Sequence, residues 1–185
     1  MEVKGTAVAS VVRFVEEKFG NEALNNWRNG LAEAAKSVYS NPILASKWYS
    51  LNDLLVEPTK EICKTFYGGN LKGAWDAGKY SAKYGLNGIL KIFVKMGTPN
   101  FIISRATSIL PTYYKPSEIK VIENTSNKVV IRITQFPEPS EIIEHRIGGW
   151  IETALQIQGC KSVNVKITKS AAKNDEFTEY DIKWL

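Results

Sequence analysis

The chain predicts an α+β fold in a single domain of 185 residues, with a helical lobe over 1–110 and a sheet-plus-helix lobe over 111–185. Three observations predict it. Apolar residues recur at helical spacing through the first lobe. Near residue 111 the period changes to two. One helical stretch then interrupts the strands, so the order is strand-strand-helix-strand-strand, an antiparallel four-stranded sheet with a helix on one face.

Val8, Val11, Val12, Val15 and Phe19 mark a first helix, and Gly20 is a natural stop. A second helix begins at Asn21 and carries Leu24, Trp27 and Leu31. Residues 36–50 read as irregular, with Asn41-Pro42 as a turn. Ser50 caps a helix with Asp53 three residues on, an acidic variant of the capping box, and Pro58 breaks or kinks it before Tyr67. Gly68-Gly69-Asn70 is punctuation, and Asn70 caps the next element. That element is a long helix from Leu71 to about Met96, stopped at Gly97-Thr98-Pro99, and another helix spans about 99–110.

Ile119 and Val121, then Val129, Ile131 and Ile133, alternate with Lys120, Val130 and Arg132 across the turn Thr125-Ser126-Asn127. A helix from about Ser140 to Gln158 comes after Pro137 and Pro139. Val163, Val165 and Ile167 form a third strand, and Tyr180, Ile182 and Trp184 a fourth.

Composition narrows the classes. Hydrophobic content of 44% and charged content of 23% suit a globular protein with a real core. The net charge of +5 is spread along the chain, its lysines interleaved with apolar residues as on a solvated surface. No nucleic-acid-binding motif accompanies it, so no nucleic acid is expected. Cys63 and Cys160 make neither a disulfide framework nor a zinc site, and two free thiols suit a cytoplasmic location. The first apolar run is broken by Arg13, Glu16 and Glu17, unlike a signal peptide, and no run reaches the ~20 residues of a membrane span.

"VKGTAVASVVRFVEEKFG" resembles the opening of haem–nitric-oxide/oxygen-binding sensor domains, and the helix ending "KMGTP" resembles the end of their haem-ligand helix. "IISRATSILPTYY", "VVIRITQFPEP" and "IGGWIETALQIQG" resemble a non-haem branch, the bacterial proteins of unknown function first counted as paralogues in myxobacteria. They are also similar to 4-vinyl reductase domains, and TRAPP trafficking subunits share that wider fold. The resemblance implies a helical lobe leading into the strand-strand-helix-strand-strand unit, with a ligand cavity beside the long helix. Two departures bear on the ligand. Asn87 stands where the haem family has its proximal histidine. Pro137, Pro139 and Glu141 stand where it has a Tyr-x-Ser-x-Arg clamp for the haem propionates. A neutral amide is a poor iron ligand beside imidazole, and neither proline nor glutamate donates to a carboxylate.

The residues then suggest where a ligand sits. Gly73, Ala77, Ser81 and Gly85 recur every fourth position of the long helix, and Gly78, Ala82 and Gly88 add to them. Glycine inside a helix costs ~1 kcal/mol relative to alanine, so this face has a reason, either close approach of another helix or a ligand on bare backbone. Trp75, Tyr80, Tyr84, Phe93, Phe101, Tyr113 and Tyr114 are either the wall of an apolar pocket or ordinary packing. Arg105 either meets a ligand carboxylate or pairs locally. His145, the only histidine, lies almost opposite the stripe of Ile143, Ile147, Trp150 and Ala154, with Glu141 one turn before it favouring its charged form. Gly148-Gly149 implies close packing on the sheet or on a partner.

The expected function is therefore a non-haem ligand-binding or sensory domain, not an enzyme, for a small apolar ligand between helical lobe and sheet. The expected site is Trp75, Gly78, Ser81, Tyr84, Gly85, Asn87, Phe93, Arg105 and Tyr113, with no metal and no cofactor. A homodimer or a signalling-protein partner accompanies it. The alternative is a protein-interaction or assembly module with a filled core; a haem-based gas sensor using another ligand is a third reading, disfavoured by Asn87 and the lost clamp.

Overall fold

The computed structural model describes residues 1–86 and 108–185. Strand β1 (Glu2–Lys4) leads directly into helix α1 (Gly5–Asn29). The helix breaks at Gly20, whose φ of 86° is open to glycine and strained for other residues, so the expected stop becomes a kink between two helical segments. Helix α2 (Glu33–Tyr39) and strand β2 (Trp48–Ser50) occupy the stretch expected to be irregular. Both are too short to display a period.

Ser50 and Asp53 cap the next helical stretch. The Asp53 amide donates to Ser50 Oγ at 3.3 Å, and Ser50 Oγ donates to the Asp53 carboxylate at 2.9 Å. A π turn (Asn52–Val56) then feeds helix α3 (Glu57–Tyr67). Pro58 lies in the first turn of α3, where its missing N–H leaves no helical bond unmade. The irregularity expected at the proline therefore lies just before it. Gly68 closes α3 at φ 59°. Asn70 Oδ1 accepts from the Lys72 amide at 2.8 Å and opens helix α4 (Lys72–Gly85). The expected helix to Met96 ends here at Gly85, and its further part, with the helix expected at 99–110, falls largely outside the described residues.

Residues 108–113 are helical and pass into strand β3 (Tyr114–Lys115). Strands β1, β2 and β3 form a small antiparallel sheet in the order β2-β1-β3. The main sheet contains β4 (Glu118–Asn124), β5 (Lys128–Gln135), β6 (Asn164–Lys169) and β7 (Thr178–Lys183), antiparallel in the order β4-β5-β7-β6. Helix α5 (Glu141–Ile157) connects β5 to β6.

Alternation fixes the inner face of this sheet. Ile119, Val129, Ile131, Ile133, Tyr180 and Ile182 are buried, while Lys120, Arg132 and Glu179 are directed outward, where Arg132 Nε donates to Glu179 at 2.6 Å. α5 is tied to the sheet through a buried carboxylate. Glu144 accepts from Thr178 Oγ1 at 2.6 Å, Ser170 Oγ at 2.6 Å and the Ala172 amide at 3.2 Å. Its own carbonyl accepts from Tyr180 Oη at 2.9 Å. These donors satisfy the buried side chain, so its burial is tolerated.

Candidate functional site

The most extensive helix contact is α4 against α5, and glycines make it close. A Cβ on Gly78 would lie 2.0 Å from the Arg146 carbonyl oxygen, and one on Gly149 2.1 Å from the Trp75 carbonyl oxygen. A Cβ on Gly148 would meet the Trp75 ring at 2.5 Å. Gly148-Gly149 therefore packs on α4, not on the sheet or a partner. The Trp75 indole cannot be accommodated beside any side chain at 148.

Trp75 also clasps α5 by hydrogen bonding. Its Nε1–H donates to Glu152 Oε2 at 2.7 Å, and Lys79 Nζ donates to Oε1 at 2.7 Å. Burial opposes ionisation of Glu152, but these donors outweigh it and hold the carboxyl below its usual pKa. A depressed pKa adds stability that is complete above the unfolded value of about 4.3 and fades as pH falls through the folded value. The melting temperature of the parent should therefore exceed that of Glu152→Gln at pH 7, and the difference should shrink below about pH 4. A difference constant down to pH 3 would refute the clasp.

Beside Gly78 lies a cavity of about 90 Å³. Its walls come from every layer: Ala7 of α1, Gly78 and Ser81 of α4, Ile131 of β5, and Arg146 and Trp150 of α5. Ile109, Leu110, Tyr113 and Tyr114 complete one side, and Ile119, Val129 and Ile182 form the sheet floor. The lining is predominantly apolar.

The expected site residues divide. Gly78, Ser81 and Tyr113 come together on this cavity. Gly85 lies beside it, 2.8 Å from the Tyr113 hydroxyl if given a Cβ. Trp75 is occupied at the helix crossing. Tyr84 is 37% exposed and stacks on Tyr80 with ring centroids 6.4 Å apart. Tyr80 in turn packs on Phe14, in an aromatic cluster with Phe19 and Phe66. Asn87, Phe93 and Arg105 lie outside the described residues.

Arg146 is a cavity residue that the sequence reading misses. It is 2% exposed, and Nη1 donates to Thr59 Oγ1 of α3 at 3.1 Å. The available signal is its place on the inward stripe of α5, three residues after Ile143 and four before Trp150.

Among the described residues no haem ligand faces the cavity. The cavity wall contains no imidazole, thiol or thioether among them. His145 is off the cavity. Its Nδ1–H donates to the Glu141 carbonyl at 2.8 Å, and its ring meets Trp75 edge-on at 6.1 Å. Burial lowers its pKa and outweighs the opposing effect of Glu144, so the charged form expected from Glu141 is disfavoured. Burial pushes the Tyr113 and Tyr114 phenols up, which keeps them neutral and poor as iron ligands. Glu141 pairs with Lys173 at 2.5 Å, and neither it nor Pro137 or Pro139 reaches the cavity. A cavity of about 150 Å³ takes up one benzene ring, so a tetrapyrrole does not enter one of about 90 Å³ without displacing its walls. Among the described residues no group of three or more His, Cys, Asp and Glu converges to hold a metal, and no helix is long and apolar enough to cross a membrane.

No family model matches the chain, and no curated protein is similar to it. Its architecture does match solved structures. A triple mutant of an H-NOX protein from S. oneidensis, in the Fe(II) state, superposes with a TM-score of 0.77 at 11% identity, covering 98% of this chain and 96% of that one. The Fe(II) unliganded H-NOX protein from K. algicida gives 0.73 at 10% identity over 98% and 96%. The Fe(II)CO H-NOX domain from Shewanella oneidensis gives 0.71 at 12% identity over 98% of both chains. The helical lobe, the small sheet and the strand-strand-helix-strand-strand unit together make this an H-NOX-like fold.

Proposed function

We propose that the protein is a non-haem small-molecule-binding or sensory domain, not an enzyme, whose largely apolar ligand occupies the cavity between α1, α4, α5 and the inner face of the sheet. The observation that supports this most is the cavity itself. It lies between the helical lobe and the sheet, and its apolar walls come from elements distant in sequence. The H-NOX-like neighbours are named for Fe(II) states. Among the described residues no imidazole, thiol or thioether faces the cavity, which supports a ligand other than haem.

Native mass spectrometry of the purified chain tests the reading. A species heavier than 20.7 kDa that loses a small molecule on denaturation is the expected result. The bare chain alone, with no added apolar compound raising its melting temperature, would favour the interaction module. That alternative draws its support from the close α4–α5 crossing at Gly78 and Gly149, where protein and not ligand fills the space. Haemin titration checks the non-haem part. No sharp Soret band of an axially ligated iron should develop, and Asn87→His should not create one. A stoichiometric complex with a defined axial ligand would overturn it.

A further inference from the structure

Helix α5 places a permanent charge where an apolar side chain belongs. Arg146 lines the cavity and is almost completely buried. Around its guanidinium lie Thr59, the Tyr39 and Tyr114 phenols and the Cys63 thiol. Burial pushes both phenols and the thiol up, so all three are neutral and none is a counterion. The Arg146 Nε–H has no acceptor among the described residues. One turn along the same face, Trp150 also lines the cavity, and its buried indole N–H has no acceptor among them either.

The missing charge is not supplied by the described residues. Glu144, the buried carboxylate of the same helix, is engaged by Ser170, Thr178 and the Ala172 amide. No described carboxylate pairs with Arg146. Residues 87–107 contain no aspartate or glutamate. An arginine remains protonated in a protein, and an unpaired buried charge is unfavourable enough that a chain retains it where something else completes it.

We propose that Arg146 anchors the head group of the ligand, and that the ligand is a monocarboxylate with a compact apolar tail. The assignment rests on reading the cavity as a ligand site. The carboxylate accepts from the guanidinium and from the Trp150 indole, and the tail lies among Ile119, Ile131, Ile147 and Leu155. One guanidinium matches one negative charge; a phosphate dianion would bring a second charge into an apolar site with no partner. The cavity of about 90 Å³ limits the tail to a few carbons.

Proton–nitrogen NMR titration of the full chain tests this with propanoate and propan-1-ol, which share a short tail and differ in the head group. Propanoate should bind roughly tenfold or more tightly than the alcohol, as expected when a charge-assisted hydrogen bond is at stake, and should shift the Trp150 indole N–H resonance downfield. Arg146→Met should bring the two affinities within about twofold of each other. Trp150→Phe should weaken propanoate while preserving its preference over the alcohol. If the alcohol binds the parent as tightly as the acid, or if Arg146→Met keeps the preference, the head-group assignment falls and the cavity reading stands. If neither compound binds, both fall. Decanoate as the tightest of a C3–C10 series would overturn the compact tail. Should Arg146→Met fail to fold, the acid–alcohol comparison on the unaltered chain decides alone.

Discussion

Gly78→Ala should destabilise the protein by about 3 kcal/mol or more, the upper part of the range for an overpacked interior. The reason is that the obstacle is backbone. The added Cβ would lie 2.0 Å from the Arg146 carbonyl oxygen and 2.7 Å from its carbon, and neither can rotate away. α4 and α5 would have to separate, and with them the crossing that seats Trp75 on Gly148. Gly149→Ala meets the Trp75 carbonyl at 2.1 Å and should behave alike. Gly85→Ala is the control on the same helix. Its Cβ would meet only the Tyr113 hydroxyl, at 2.8 Å, the far end of a side chain that can shift. It should change stability by no more than about 1 kcal/mol, the scale of helix propensity at a glycine. Urea unfolding of the three variants checks this. Equal, small losses at 78 and 85 would mean that α4 and α5 are not in backbone contact.

The contrast between these glycines marks the limit of what sequence reveals. A glycine every few residues along α4 announces a groove, but one stretch of sequence does not say what enters it. At Gly78 it is the backbone of α5, about 70 residues away; one turn further on, at Ser81, it is the edge of a cavity. The main sheet is legible for the opposite reason. Its inner face is buried and its outer face carries Lys120, Arg132 and Glu179, so the period of two is written residue by residue. β1 and β2, at three residues each, contain no full period and pair only through long-range contacts. The same limit hides Arg146. A charged residue on an amphipathic helix reads as solvent-facing, and only the neighbours Ile143 and Trp150 indicate that it is not. Trp75 reads as pocket wall because an aromatic on a small-residue face suggests one. Its partner across the crossing is Gly148, an absence of side chain that local sequence cannot pair with it.

Trp27→Ala should cost about 3–5 kcal/mol, as truncation of a fully buried aromatic does. Trp27 is 0% exposed and joins three elements of the helical lobe. It lies in the segment of α1 after the Gly20 kink, meets the Tyr39 ring of α2 edge-on at 5.0 Å, and donates from Nε1 to the Pro58 carbonyl of α3 at 3.0 Å. Tyr39 carries the connection on, donating to the Leu54 carbonyl in the π turn at 2.6 Å. Against a net stability of roughly 5–15 kcal/mol for a domain, the loss is a large fraction of the whole. Trp27→Phe separates packing from hydrogen bonding. It retains most of the buried ring but leaves the Pro58 carbonyl without its donor, so it should cost about 1–3 kcal/mol. Trp27 does not line the cavity. Trp27→Phe should therefore bind propanoate as the parent does, while its denaturant midpoint falls. A midpoint unchanged in Trp27→Ala would mean that the helical lobe is not held together at this point.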